Sequence, residues 1–161
     1  MGGISIFNFR KYGDDDESFA TFLEKNKATF GVPDNIKYIP GNDQIYTAFG
    51  PDITRGVTES LVKVLRSVKV LIYNGQNDVV VNTPGVLQYL NSLQWEGLWQ
   101  WKRAEKKVWT ISNEVVGWSK VGGNLWFVLL NNAGHMVPTD QPISSFSMMG
   151  HFLNDEHEWN Q

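Results

Sequence analysis

The sequence predicts an α/β fold, and three observations carry that reading. Two short apolar runs, residues 68–73 and 125–130, are rich in branched and aromatic side chains and too short for helices, so they read as strands covered on both faces. Helical periodicity precedes and follows the first run and follows the second, the alternation expected of a sheet flanked by helices. The chain has 161 residues, 42% of them apolar and 19% charged, which is enough for one ordinary domain with its own core.

Taken in order, residues 2–12 mix short apolar residues with Arg10 and Lys11 and read as an extended segment that leans on another part of the molecule. Ser18 can cap a helix whose apolar face is Phe19, Phe22 and Leu23, stopped by Gly31-Val32-Pro33. The acidic run 14–17 reads as a solvated loop. Residues 35–52 carry turn formers and scattered aromatics without a clear period. A helix over 54–67, with Val57, Leu61, Val64 and Leu65 on one side, feeds the strand at 68–73.

Asn74-Gly75 ends that strand, and Thr83-Pro84 then opens a helix through Leu93 with Val86, Leu87, Leu90 and Leu93 on one face. Runs 107–111 and 115–121 read as a hairpin joined by Ser112-Asn113-Glu114, and Gly122-Gly123-Asn124 turns the chain into the strand at 125–130. Pro138 and Pro142 force a turn after it. From Gln141, the spacing of Ile143, Phe146, Met149, Gly150 and Leu153 predicts a helix packed on the sheet through that face, followed by a solvated tail over 155–161.

Several functional classes are set aside by composition. A net charge of −3 and a pI near 5.6 offer no basic face for phosphates, so no nucleic-acid partner is expected. No apolar run approaches the roughly 20 residues that span a bilayer, and Met1-Gly2-Gly3 opens no signal peptide. The reading is a chain off the membrane, cytosolic or with its targeting segment outside these residues. Without cysteine there are no disulfides or thiolate metal sites. His151 and His157 with Asp155 and Glu156 fit no zinc spacing and read as surface groups, so no metal is expected, and no cofactor either. The crowd of Trp95, Trp99, Trp101, Trp109, Trp118 and Trp126 reads as core and hairpin packing in preference to a stacking platform.

Two motifs carry chemistry. Asp78 lies just beyond the first strand and His135 just beyond the last, equivalent positions at the strand ends where open α/β sheets bind ligands. A lone aspartate there is commonly a turn residue, and a lone histidine commonly structural. Together, in the order acid then histidine, they match the back half of the Ser…Asp…His order of α/β-hydrolases.

These residues, read in VLIYNGQNDVVVNTPG, Leu93-Gln94-Trp95 and NNAGHMVPTDQP, resemble the C-terminal part of the serine carboxypeptidase family, nearest its retinoid-inducible and vitellogenic-like branch. The similarity runs from GGISIFNFRKYGD to near Leu153. It implies the C-terminal portion of an α/β-hydrolase fold with an incomplete central sheet, residues 1–161 forming part of a single domain and about 1–55 coming from its cap or insertion region. It implies hydrolysis of C-terminal peptide bonds in peptide substrates and a lysosomal, vacuolar or secreted location. Asp78 then corresponds to the catalytic acid, His135 to the catalytic histidine, and Met136 to a residue lining the leaving-residue subsite.

No G-x-S-x-G elbow occurs in the sequence, and Ser60, Ser92 and Ser119 sit in no glycine-flanked elbow. The expectation is therefore a nucleophile on an N-terminal part or chain, with this chain inactive alone. The strand before Asp78 should then lack a neighbour and leave Val68, Val70, Leu71 and Ile72 against water. The competing expectation, with Met1 as a true start, is a non-catalytic binding protein that kept the scaffold.

Overall fold

The structure, a computed structural model, describes residues 4–12, 16–39, 41–157 and 159. Gly2-Gly3, Asp14 and residues 158, 160 and 161 of the tail lie outside them. The chain divides into two compact units, residues 13–56 and residues 1–12 with 57–161.

The smaller unit holds α1 (Asp16–Lys25) and α2 (Asp43–Ile53). Helix α1 begins two residues before Ser18, so that serine lies within it, and Asp16 and Glu17 open a helix instead of a loop. Its pattern gives way to turns from residue 26, which reach Gly31 at φ +65°. Helix α2 was not legible because Gly50-Pro51 interrupts its sequence. Asn42 starts it nonetheless, its side-chain oxygen accepting from the Gln44 and Ile45 amides.

The larger unit is a four-stranded mixed sheet with helices on both faces. Its elements are α3 (Thr58–Leu65), β1 (Val70–Gly75), α4 (Thr83–Ser92), α5 (Leu98–Arg103), β2 (Lys106–Ile111), β3 (Glu114–Gly122), β4 (Leu125–Leu130), α6 (Val137–Asp140) and α7 (Pro142–Leu153). The strand order is β1-β4-β3-β2, with β1 parallel to β4 and the other pairings antiparallel. All six residues of β4 are buried. Because strand side chains alternate, Leu125, Phe127 and Leu129 enter one core and Trp126, Val128 and Leu130 the other. That two-sided burial is why β4 reads as an unbroken apolar run.

The first core takes Leu65 from α3, Leu90 and the following Leu93 from α4, and Trp101 from α5. Leu61, Val62 and Leu65 are the inward side of α3, whereas Val57 and Val64, expected inside, are exposed. Helix α4 is capped by Asn82, one residue before the expected Thr83, its side chain accepting from the Gly85 amide. The second core takes Trp109, Val137, Met148 and Trp159. The tail is thus not wholly solvated, because Trp159 packs edge-on against Trp109. The tryptophans are divided between two cores, Trp95, Trp101 and Trp118 with one and Trp109, Trp126 and Trp159 with the other, and Trp99 is exposed.

Three further expectations change. Ser112 and Asn113 both have positive φ, as a two-residue turn of the I′ kind requires, so Glu114 belongs to β3. Pro138 lies in the first turn of α6 without preventing it, since a missing amide costs nothing there. Strand β1 has β4 on one side and no strand on the other among the described residues; Val70, Leu71 and Ile72 are half-buried, while Val68 before it and Tyr73 are exposed.

Helix α7 is turned opposite to its apolar pattern. It buries Ser144, Ser145, Met148 and His151, while Ile143, Phe146 and Leu153 are 76%, 85% and 71% exposed. His151, expected at the surface, is buried instead: Glu156 sits 2.8 Å from its Nδ1, and Trp159 stacks on its ring. The outward stripe should bind a hydrophobic dye. Ile143→Lys with Phe146→Lys should reduce dye fluorescence and self-association while shifting stability by no more than about 0.5 kcal/mol per site. Unchanged dye binding, or a large fall in the melting temperature, would show that these side chains are covered.

Candidate active site

The parallel pairing of β1 and β4 aligns Gly75 with Leu130, so both chains leave the sheet at the same edge. The departing loops are stitched together: the Gln76 amide donates to the Leu130 carbonyl at 2.9 Å and the Asn77 amide to the Ala133 carbonyl at 2.7 Å. A Cβ on Gly75 would lie 2.1 Å from the Gly134 carbonyl oxygen, so this approach requires glycine. Asn132, at φ +59°, reverses the second loop.

Asp78 and His135 meet at this edge. His135 Nδ1 and Asp78 Oδ2 are 2.8 Å apart, and the other carboxylate oxygen accepts from the Val81 amide at 3.0 Å. The Asp78 side chain is 3% exposed and that of His135 37%. With Nδ1–H donating to the carboxylate, Nε2 is left as the acceptor. A buried carboxylate orienting a half-exposed imidazole is the arrangement that lets a histidine take and return a proton. Met136 follows, 60% exposed. Ser119 is buried in β3, on neither loop. Among the described residues no group of three or more His, Cys, Asp or Glu is arranged to hold a metal, and no helix is long and apolar enough to cross a membrane.

Around this pair lies a shell that sequence reasoning missed. Residues 4–12 form a strap closed by an isolated antiparallel bridge between Ile4 and Tyr12. The His135 amide donates to the Phe7 carbonyl at 2.6 Å, the Phe9 amide to the Asn77 carbonyl at 3.2 Å, and the Val79 amide to the Ile6 carbonyl at 3.2 Å. Asp140 joins strap to loop: Oδ2 accepts from Gly134 N at 2.7 Å and Asn8 Nδ2 at 2.8 Å, and Oδ1 pairs with the Lys11 ammonium. The only signal for the strap was its leaning, partly apolar composition.

Burial alone would raise the Asp140 carboxyl, but Lys11, the Gly134 amide and Asn8 outweigh it and hold the group below the usual carboxylate range. A depressed folded value means that the group's stabilisation is fully present above the unfolded value of about 3.9 and is lost as pH falls through the folded one. Protection factors of the amides over residues 4–12, corrected for the intrinsic exchange rate at each pH, should therefore hold from neutral pH down to about 4 and fall below it. Protection that persists through strong acid would show that the carboxylate does not hold the strap.

The mixed sheet covered on both faces, with an acid and a histidine on the loops leaving adjacent parallel strands, defines a portion of an α/β-hydrolase fold. A family model described as serine carboxypeptidase matches residues 10–155. The chain is 30% identical over 163 residues to the probable serine carboxypeptidase CPVL of Dictyostelium discoideum, covering 96% of this chain and 32% of that protein. It is also 30% identical over 165 residues to the vitellogenic carboxypeptidase of Aedes aegypti, covering 97% and 34% respectively. Identity to the venom serine carboxypeptidase of Apis mellifera is 35% over 122 residues, covering 76% and 26%. Kex1(delta)p, a prohormone-processing carboxypeptidase from Saccharomyces cerevisiae, shares the fold with a TM-score of 0.79 at 23% identity, covering 94% of this chain and 36% of that one. The chain belongs to the serine carboxypeptidase family, and it spans about a quarter to a third of the length of these curated relatives.

Proposed function

We propose that this chain supplies the acid and the histidine of a serine-type carboxypeptidase whose nucleophile lies on a part outside these residues. The observation that carries the reading is the 2.8 Å contact between His135 Nδ1 and Asp78 Oδ2 at one sheet edge, in a sequence without a G-x-S-x-G elbow. In the assembled enzyme the serine attacks the scissile carbonyl while His135 Nε2 takes its proton. The same nitrogen then protonates the departing C-terminal residue, and Asp78 holds the imidazole in the required tautomer and stabilises its charged form. Met136, exposed beside the histidine, lines the space for the departing residue. Without the serine the chain alone is inactive.

Of the stretch of about 1–55 expected from the cap or insertion region, residues 1–12 group with 57–161, and we assign the separate unit of residues 13–56 to that region. A secreted setting suits the same reading, since one relative is named as a venom enzyme. The test is to seek a G-x-S-x-G upstream of Met1 in the same reading frame, and to treat any chain that co-purifies with this one with a fluorophosphonate serine probe. A labelled partner or an upstream elbow supports the enzyme. The absence of both favours a binding protein that uses the outward stripe of α7.

A further inference from the structure

We propose that Asp140 is the positioning residue of His135, acting through the peptide nitrogen of Gly134; this rests on the reading of His135 as the catalytic base. The His135 ring is more than a third exposed; Phe7 lies beside it with ring centroids 5.7 Å apart, and the contact to Asp78 constrains one nitrogen. Its aim depends on the backbone at 134–135. Two bonds fix that backbone: the Gly134 amide donates to Asp140 Oδ2 and the His135 amide to the Phe7 carbonyl. Gly134 has no room to relax, since an added Cβ would lie 2.3 Å from the Phe7 carbonyl oxygen and 2.5 Å from Asn8 Cβ.

The placement of Asp140 is otherwise unfavourable. It ends the single turn of α6, and its side chain is only 6% exposed, so its charge is largely removed from water. It is kept there by three donors, Gly134, Asn8 and Lys11, of which only the first belongs to the histidine loop. A neutral side chain of the same shape could still accept from Gly134. The positioning role therefore needs an oxygen, whereas the ion pair with Lys11 needs the charge.

This difference makes the proposal testable on the 161-residue chain by nitrogen NMR of its three histidines at low protein concentration. Asp140→Ala should remove the downfield Nδ1–H signal of the His135–Asp78 bond and leave the ring averaging between tautomers. Asp140→Asn should retain that signal. The Asn8→Ala, Lys11→Met double variant removes the strap's two side-chain contacts to Asp140 but spares the Gly134 bond, and it too should retain the signal.

An Asp140→Ala spectrum identical to wild type, in a folded protein, overturns the proposal. Loss of the signal in the double variant also overturns it, by moving the role to the strap, and that arm decides even if Asp140→Ala does not fold. In enzyme assembled with its nucleophile-bearing part, Asp140→Ala should lower kcat by about 10²-fold with little change in KM, and Asp140→Asn should restore most of the loss. If His135→Ala keeps turnover there, the catalytic reading fails, while the tautomer measurement still decides whether Asp140 positions the ring.

Discussion

In enzyme assembled with its nucleophile-bearing part, His135→Ala should lower kcat by about 10⁶-fold and Asp78→Asn by about 10⁴-fold, magnitudes set by triad variants in other serine hydrolases. The ordering follows from geometry. Without the imidazole nothing takes the serine proton, whereas Asp78→Asn leaves a base in place but offers an NH₂ donor to His135 Nδ1, which favours the wrong tautomer. The asparagine fits the same space, and the carboxylate oxygen that accepts from the Val81 amide has an amide counterpart, so the loop should keep its shape. Turnover within tenfold of wild type in either variant, measured on a peptide with a free C-terminus, would remove these residues from the mechanism. Combining the two substitutions should cost about as much as His135→Ala alone, because the residues act as one unit.

Gly75→Ala should cause a large loss of stability from a single methyl group. Its added carbon would sit 2.1 Å from the Gly134 carbonyl oxygen and 2.5 Å from that of Ala133. Both obstacles are backbone, so no side chain can rotate away, and the two loops must separate. Overpacking ordinarily costs 1–3 kcal/mol, and two backbone collisions place this variant near about 3 kcal/mol, a large part of a net stability of 5–15 kcal/mol. At roughly 2–4 °C per kcal/mol for a chain of this size, the melting temperature should fall by roughly 6–12 °C. Gly150→Ala is the contrast. Open space surrounds that site on α7, so the same methyl group should stabilise by up to about 1 kcal/mol through helix propensity. Equal effects at the two positions would show that the loops are not in close approach.

The sheet was legible where burial acts on both faces or where a turn has its own chemistry. Strand β4 occupies 125–130 as expected, since every position faces a core, and the hairpin at Ser112-Asn113 differs by one residue only. Helix α7 shows the limit of reading apolarity as burial: its inward face carries Ser144, Ser145 and His151, and its most apolar stripe points to solvent. His151 looked superficial because its partners, Glu156 and Trp159, lie in a tail that seemed polar. Asp78 and His135 could be chosen from their places after strands, whereas the shell around them could not. Asn8 and Asp140 are 132 positions apart, and no local pattern announces that a carboxylate ending a short helix will hold the peptide before the histidine.

Strand β1 has one more consequence. It carries Asp78 at its end and, among the described residues, an unpaired edge along its length. A strand added at that edge would restrain the same six residues from which the aspartate loop departs, so association and site order become linked quantities. By thermodynamic reciprocity, whatever free energy strand addition contributes to ordering the loop, a ligand that orders the loop returns to the affinity for the added strand. In the enzyme proposed above, a substrate-like peptide bound at His135 would therefore tighten the joining of the two parts, and dilution would loosen substrate and partner together.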